Sequence, residues 1–188
     1  VAFAPQIQSI EEFIHELSGI EKGTNIELLF TFYKIYQEHT PKKEQNSFDQ
    51  FLNWAPLLLQ EFNEIDAQMV DANLIFSFMG AVEKIEEWDP KKMGDLGKQF
   101  FKFQERVPLY YDQLYKKLQS HQIGYSGLQY REATHNLGHY MMSVQAFHFF
   151  VGFNALTKAE EVIFQELIAE ERATVIWDLD KYCLLYTS

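Results

Sequence analysis

The sequence lacks several features that mark common classes of protein. It contains a single cysteine, Cys183, and so cannot form a disulfide within the chain, a composition compatible with a reducing compartment. No stretch approaches the ~20 consecutive apolar residues of a membrane-spanning helix, and residues 1–5 lack the basic flank of a signal peptide. We therefore expect a cytoplasmic chain that does not bind a membrane.

Basic residues are also scarce. The chain has 16 Lys and Arg residues against 27 Asp and Glu residues, which gives a net charge of −11 at pH 7. Affinity for nucleic acid comes largely from Lys and Arg side chains that neutralise phosphates. Lys-Lys pairs at 42–43, 91–92 and 116–117 run against this balance, and we interpret them as solvated surface. The charge predicts that this chain binds DNA weakly, if at all, and faces protein.

Apolar and aromatic residues, in contrast, are plentiful. Hydrophobic residues make up 47% and aromatic residues 16% of the 188 residues, which excludes a mostly disordered chain. A chain of this length can bury a sizeable core in one or two compact units.

The C-terminal third carries the clearest local pattern. A mostly apolar run at 147–151 predicts a β-strand that ends at Gly152, and a second run at 173–177 predicts another strand. Between them, Thr157 and Glu160 have the spacing of a capping box, and apolar residues follow at helical spacing. Strand, loop, helix and strand in this order are typical of a RecA-like α/β domain.

The end of the first of these strands lacks the acids that nucleotide hydrolysis requires. In a nucleotide-hydrolysing helicase this strand would end in Asp-Glu, which holds Mg²⁺ and positions water against the γ-phosphate. Here the sequence at 151–153 is Val-Gly-Phe, and no GxxxxGK[ST] phosphate loop occurs anywhere. A strand-like Pro-Asp followed by Asp/Glu-x-Lys is also missing. We expect no catalysis by this chain and no cofactor bound to it.

The rest of the chain is predicted to be mainly helical. Ser9 and Glu12 form a capping box that opens a short helix ending near Gly19. Pro56 interrupts a longer apolar stripe, so we expect a kink or a new helix start there, because proline cannot donate the helical hydrogen bond. Further helices are predicted at 25–38, 47–66, 69–79, 82–88, 98–104, 108–122 and 126–140.

These elements predict an α/β fold that is predominantly helical. We assign residues 1–24 and 145–182 to a partial, degenerate RecA-like (P-loop helicase-like) domain, and residues 25–144 to a large helical insertion domain. Residues 183–188 resemble translated sequencing-adapter sequence, and we interpret them as an artificial end. On that interpretation Cys183 carries no functional information.

Three strings carry a family resemblance: SFDQFLNWAPLLLQEFNEID at 47–66, IGYSGLQYREA at 123–133, and VGFNALTKAEEVIFQEL at 151–167. With them the chain resembles, over about residues 1–182, the N-terminal helicase-like region of AddB-type proteins of the PD-(D/E)XK nuclease family from Bacteroidetes-like bacteria. The resemblance implies a degenerate first RecA-like domain with a helical insertion, followed downstream by a second helicase-like domain and a nuclease domain.

The same resemblance implies a function and partners. Such proteins process broken DNA ends for recombination, usually with a helicase partner of the AddA type. This chain would then be a non-catalytic N-terminal scaffold fragment, and the parent would resemble an exonuclease with an inactive helicase-like domain. Its partners would be the AddA-type helicase-nuclease subunit or downstream domains of the same chain.

The resemblance also suggests one place for DNA contact, the turn at Gln8 and Ser9. In helicases of this general shape, the end of the preceding strand lies against single-stranded DNA. The alternative interpretation is that Ser9 serves as a helix cap and accepts hydrogen bonds from its own backbone. The two roles can coexist.

A metal-binding helical bundle is an alternative from a different class. Glu12 with His15, and Glu132 with His135, form two Glu-x-x-His pairs of the kind used by carboxylate-bridged di-iron bundles, which Glu61 or Glu64 could complete. The order of the helices does not match those bundles. His135 and His139 also share a helical face, but two nitrogens do not close a metal site. We predict no metal ligand.

Other polar and aromatic groups are predicted to be structural. We expect Glu61, Glu64, Asp66 and Asp71 to lie on a solvated helix face, since they lack the pattern of a calcium loop. The aromatic pairs at 100–101, 110–111 and 149–150 and His148 are assigned to the core or to a sheet face. A third possible function is therefore a purely structural protein-interaction module.

Overall fold

The computed structural model describes residues 4–82 and 95–178, and the side chains within them except those of 78–82 and 95–100. Over these residues the chain is predominantly helical, with small sheets. Predictions on residues 1–3, 83–94 and 179–188, including residues 83–88 of the helix predicted at 82–88 and the artificial end, lie outside the described residues. In chain order the elements are α1 (Ile10–Ser18), β1 (Glu21–Lys22), α2 (Asn25–His39), α3 (Phe48–Leu52), α4 (Ala55–Ala67), α5 (Ala72–Val82), α6 (Asp95–His121), β2 (Ile123–Gly124), α7 (Ser126–Ser143), β3 (His148–Phe153), α8 (Lys158–Ala169) and β4 (Ala173–Trp177).

The first helix begins and ends where its sequence predicts. The Ser9 hydroxyl accepts the Glu12 N–H at 3.2 Å, and the Glu12 carboxylate accepts the Ser9 N–H at 2.7 Å. Gly19 closes the helix with φ +64°, and its N–H donates to the His15 carbonyl at 3.0 Å. A left-handed residue at this position is typically glycine, because a Cβ atom would crowd the backbone. The predicted capping box and C-terminus of α1 are confirmed.

Pro56 starts a new helix, one of the two outcomes expected for it. Helix α3 ends at Leu52, and α4 begins at Ala55 with Pro56 in its first turn. The missing proline N–H has no cost there, because the N–H groups of a first turn have no partner within the helix.

Two predicted helix boundaries are wrong. Helix α5 begins at Ala72 and not at Met69, because Met69 has φ +53° and the Asp71 carboxylate caps the helix through the Asn73 N–H at 2.9 Å. The predicted helices at 98–104 and 108–122 form one continuous helix, α6, with Pro108 inside it. Side chains on both sides of the proline pack into the same core, which offsets the lost backbone hydrogen bond.

The predicted strand, helix and strand at the C-terminal end are present as β3, α8 and β4. The two strands pair in parallel, with Phe150 opposite Val175 and Val151 opposite Ile176. The predicted end of β3 at Gly152 is wrong: the strand continues to Phe153 through a bulge. The assignment of this unit to a RecA-like domain stays a prediction. A second, unpredicted pair of short parallel strands joins β1 to β2.

Helix α7 joins two hydrophobic cores. The first, here called the helical core, is built by α2, α3, α4 and α6 with the start of α7; its largest fully buried side chains are Phe32, Phe51, Phe62, Tyr110, Leu114 and Leu128. The second, the sheet core, is built by α1, β3, α8 and β4 with the rest of α7; its fully buried side chains include Ile14, Leu137, Ile163 and Leu167. The predicted boundaries after residues 24 and 144 stay a prediction.

Within the two described stretches, no helix combines the length and the apolar character that crossing a membrane requires.

Candidate functional site

The most unusual polar group in the described part of the chain is Asp66, a carboxylate with no solvent exposure. It lies one residue before the end of α4. One carboxylate oxygen accepts a hydrogen bond from the Tyr111 hydroxyl, and the other accepts one from the Tyr125 hydroxyl at 2.6 Å. Arg131 Nε lies 2.7 Å from Asp66 Oδ1 and forms an ion pair, although its N–H is not aligned for a hydrogen bond. A buried carboxylate therefore meets two phenols and a guanidinium.

Burial sets the protonation of this cluster. It raises the pKa of the Asp66 carboxyl, while the two tyrosine hydroxyls and the Arg131 guanidinium act in the opposite direction. Burial, and then the Asp66 charge, raise the pKa of both Tyr111 and Tyr125. Both phenols accordingly keep their protons at neutral pH and remain hydrogen-bond donors.

Arg131 connects this cluster to the end of α4. Its Nη2 donates to the carbonyl of Ile65 at 2.9 Å and to the carbonyl of Val70 at 2.7 Å. Carbonyls at the end of a helix have no partner within the helix, and a basic side chain can satisfy them. Arg131 thus fixes the end of α4 to α7 while it neutralises Asp66.

A close approach of α4 and α7 makes this geometry possible. The Gly127 N–H donates to the Asn63 side chain at 2.8 Å, and a Cβ atom at Gly127 would lie 2.0 Å from the Asn63 carbonyl oxygen. Only glycine fits at this contact. The next turn of α7 then brings Arg131 to Asp66.

A second buried carboxylate, Glu132, follows Arg131 on α7. It accepts hydrogen bonds from the Tyr115 hydroxyl and from the Gln119 amide at 3.0 Å, so both partners come from α6. Burial, and then the hydrogen bond to Glu132, raise the pKa of the Tyr115 hydroxyl. His135 Nδ1 lies 3.4 Å from Glu132 Oε1, with about half of the imidazole side chain exposed. Asp66 and Glu132 together tie α7 to α4 and α6.

A cavity of about 340 Å³ opens to solvent beside these groups. Tyr111, Tyr115, Arg131 and His135 form part of its wall, with residues from the loop between α4 and α5. Its two carboxylates are already engaged: Asp71 caps α5, and Asp112 pairs with Lys116 at 2.8 Å. In the described part of the chain, no group of three or more His, Cys, Asp or Glu residues is arranged to hold a metal ion.

The two Glu-x-x-His pairs do not meet. Glu12 belongs to the capping box of α1, and His15 Nδ1 lies 3.0 Å from the Ile20 carbonyl oxygen. Glu132 and His135 contact each other on α7, away from a shared centre. The other residues considered for this alternative, Glu61, Glu64 and His139, are exposed.

The two residues proposed for DNA contact precede α1. Gln8 is exposed, and its side-chain oxygen accepts a hydrogen bond from the Gln6 amide at 2.7 Å. Ser9 is exposed and caps the helix, which confirms the alternative interpretation of this residue. DNA contact at Gln8 and Ser9 stays a prediction.

The end of β3 is apolar in the structure as well as in the sequence. The Phe153 ring packs edge-on against Phe164 of α8, with centroids 5.1 Å apart. The Asp178 N–H donates to the Phe153 carbonyl at 2.9 Å, which extends the pairing with the residue after β4. At the other end of the strand, His148 is half-buried against Phe13, as expected of a sheet-face histidine, and burial lowers the pKa of its imidazole.

Two sequence predictions about side chains are wrong. The sequence predicts Asp66 on a solvated helix face together with Asp71, but the side chain is fully buried. Its position four residues after Phe62, on the apolar stripe of the same helix, is the signal that points inward. The sequence predicts that Phe149 and Phe150 both lie in the core, but Phe149 is 68% exposed, because neighbouring residues of a strand face opposite sides of the sheet.

Residues 4–82 and 95–178 form a predominantly helical structure with two small parallel sheets and buried carboxylates at a helix junction. Comparisons with protein-family models, with curated proteins and with solved structures find no match.

Proposed function

We propose that this chain is a non-catalytic N-terminal scaffold of a helicase-nuclease subunit that processes DNA double-strand breaks for recombination repair. The observation that carries the proposal is the acid-free end of β3. The three strings at 47–66, 123–133 and 151–167 resemble AddB-type proteins. The acid-free end of β3 is the reason why we expect no ATP hydrolysis.

The parallel unit of β3, α8 and β4 is the setting in which catalytic acids would be expected. In open α/β sheets, ligands bind beyond the carboxyl ends of the strands, and nucleotide hydrolysis needs Mg²⁺-holding carboxylates there. Here Val151, Gly152 and Phe153 occupy that end, and Phe153 is turned onto α8. A strand that ends in this way can support neighbouring domains but cannot hold Mg²⁺ through its own side chains.

The buried cluster around Asp66 supports the same role. Its carboxylates and phenols satisfy one another, and they bind α4, α6 and α7 together. Buried polar groups that pair with one another make a junction rigid, which suits a part that holds other components in place. The negative charge of the chain favours a protein partner over DNA, and the partners we propose are an AddA-type helicase-nuclease subunit or the downstream domains of the parent.

Activity assays and co-purification test the proposal together. The purified chain is incubated with ATP and with linear DNA in the presence of Mg²⁺, and a complete helicase-nuclease serves as the positive control. We expect neither ATP hydrolysis nor DNA cleavage by the chain.

Co-expression of its parent with the AddA-type subunit of the same organism should give a complex that loses affinity when residues 4–178 are deleted. Hydrolysis, cleavage or an unaffected complex would contradict the proposal.

A purely structural protein-interaction module is the second candidate, and the exposed apolar side chains of β3 favour it. Gel-shift assays at low and moderate salt separate the two, because contacts with phosphates weaken steeply as salt rises. A scaffold that touches DNA near α1 should bind weakly at low salt, and Gln8→Glu should abolish this binding. Gln60→Glu is the matched control, since it adds the same charge at an exposed position of α4. An equal effect of both variants would argue for general charge repulsion, and no binding at any salt would favour the protein-only module.

A further inference from the structure

The outer face of the β3–β4 sheet is apolar and open. Phe149 is 68% exposed, Val151 60% and Ile176 51%, and the strand register puts these three side chains on one side of the sheet. Phe147, just before β3, extends the patch, and its ring centroid lies 5.1 Å from that of Phe149. These four side chains are called the outer face below.

The opposite side of the same two strands is covered by helix α8. There Phe150 stacks on Phe164 of α8 with centroids 3.8 Å apart, and Ile163 and Leu167 are fully buried in the same core. Parallel sheets occur almost only with both faces covered, and their strands are apolar on both sides. Strand β3 has this two-sided apolar pattern, but α8 covers only one of its sides.

The area and the charge of the outer face limit its occupant. Four half-exposed apolar side chains present roughly 400 Å², about half of the ~800 Å² per partner that a stable protein interface buries. A freely diffusing second copy would be held weakly by so small a face, whereas an element tethered to the same assembly gains from its high effective concentration. No Asp, Glu, Lys or Arg lies within β3 or β4, and Asp178 follows β4 only at the edge of the face, so a charge at the centre of the occupant would be buried without a partner.

We propose that the outer face is the docking site of an amphipathic α-helix supplied by the rest of the assembly, which lies across β3 and β4 as α8 does on the other side. The helix carries uncharged apolar residues at positions i, i+3, i+4 and i+7 and is about three turns long. This inference deepens the proposed function and rests on it for the source of the helix. The geometry of the face itself is independent of any role in DNA repair.

A tethered helix tests the proposal directly. The full chain is fused through a flexible Gly/Ser linker to a designed helix with leucines at the four docking positions, and the control fusion carries serines there. We expect the leucine helix to slow amide hydrogen exchange in β3 and β4 by at least about tenfold relative to the serine control, because docking suppresses local opening of the sheet. Equal exchange in the two fusions would overturn the proposal.

A substitution in the outer face tests whether the leucine helix docks there. Val151→Lys should remove the protection given by the leucine helix, whereas Glu166→Lys, which makes a charge change at an exposed position on α8, should leave it intact. The comparison of leucine and serine fusions needs neither substitution, so it stands even if Val151→Lys does not fold.

Sedimentation of the unfused chain tests whether a second copy of the chain binds the outer face instead. A dimer that forms at micromolar concentration and is lost in Val151→Lys would overturn the proposal in favour of a second copy. ATP hydrolysis or DNA cleavage by the chain would contradict the proposed function without changing the exchange result, and equal exchange in the fusions would contradict the docking helix alone.

Discussion

At the scale of single residues, the described part of the molecule depends on a few buried polar groups, among which Asp66 has no solvent exposure. The buried Asp66 carboxylate has lost its contacts with water and instead contacts two phenol hydroxyls and one guanidinium. Such an exchange adds little net stability, but removing one partner leaves the others buried and unpaired. The cost of a substitution should therefore depend on which partners remain.

We predict that Asp66→Ala lowers the free energy of unfolding by about 3–5 kcal/mol, because Arg131 would then be a buried charge without its counter-ion. Urea unfolding followed by far-UV circular dichroism measures the loss. Glu61→Ala is the control, since Glu61 is an exposed carboxylate on the same helix and its removal should change stability by about 0.5 kcal/mol or less. Equal effects of the two variants would show that loss of Asp66 does not leave Arg131 as an uncompensated buried charge.

At the scale of secondary structure, the sequence predicts features that depend on neighbouring residues and misses those that depend on distant packing. The capping boxes at Ser9 and Thr157 and the new start at Pro56 depend on neighbours in sequence, and they were predictable. Continuity of α6 through Pro108 depends on distant packing partners, and the sequence around Pro108 does not reveal them. The burial of Asp66 is of the same kind, because its partners lie 45, 59 and 65 residues further along the chain.

Two glycines of α7 should respond to the same substitution with opposite signs. Gly127→Ala should destabilise the protein by ~1–3 kcal/mol, because the new Cβ would lie 2.0 Å from the Asn63 carbonyl oxygen. Gly138→Ala should stabilise it by ~0.5–1 kcal/mol, because nothing lies within 4 Å of its Cβ and alanine favours a helix interior. Thermal and urea unfolding of both variants measure the signs. Destabilisation by Gly138→Ala would contradict the open surface described at that position.

At the scale of the whole molecule, one helix belongs to both cores. Leu128 of α7 is fully buried in the helical core, and Leu137, further along the helix, is fully buried in the sheet core. A shared rigid helix transmits the loss of one core to the other, whereas a flexible linker would let each unfold alone. The chain should therefore unfold as a single cooperative unit.

Leu137→Ala tests this coupling. We expect it to lower the free energy of unfolding by about 2–5 kcal/mol through the cavity that it leaves in the sheet core. Trp54, in the helical core, and Trp177, in β4, allow fluorescence to follow each side when the other tryptophans are replaced by phenylalanine. Both probes should show the same shifted midpoint. Separate midpoints would mean that α7 does not couple the two cores.

The ion pair between Asp66 and Arg131 also has a consequence for how the chain finds its native arrangement. A dispersed apolar surface tolerates sliding, since one leucine can replace another at a contact. If α7 docked on α4 one turn out of place, a displacement of about 5.4 Å, Arg131 would miss Asp66 and the end of α4. A stranded charge of this kind is penalised far more than an imperfect hydrophobic fit. We therefore expect the pair to disfavour misaligned docking of α7 on α4, which the surrounding leucines and phenylalanines would tolerate.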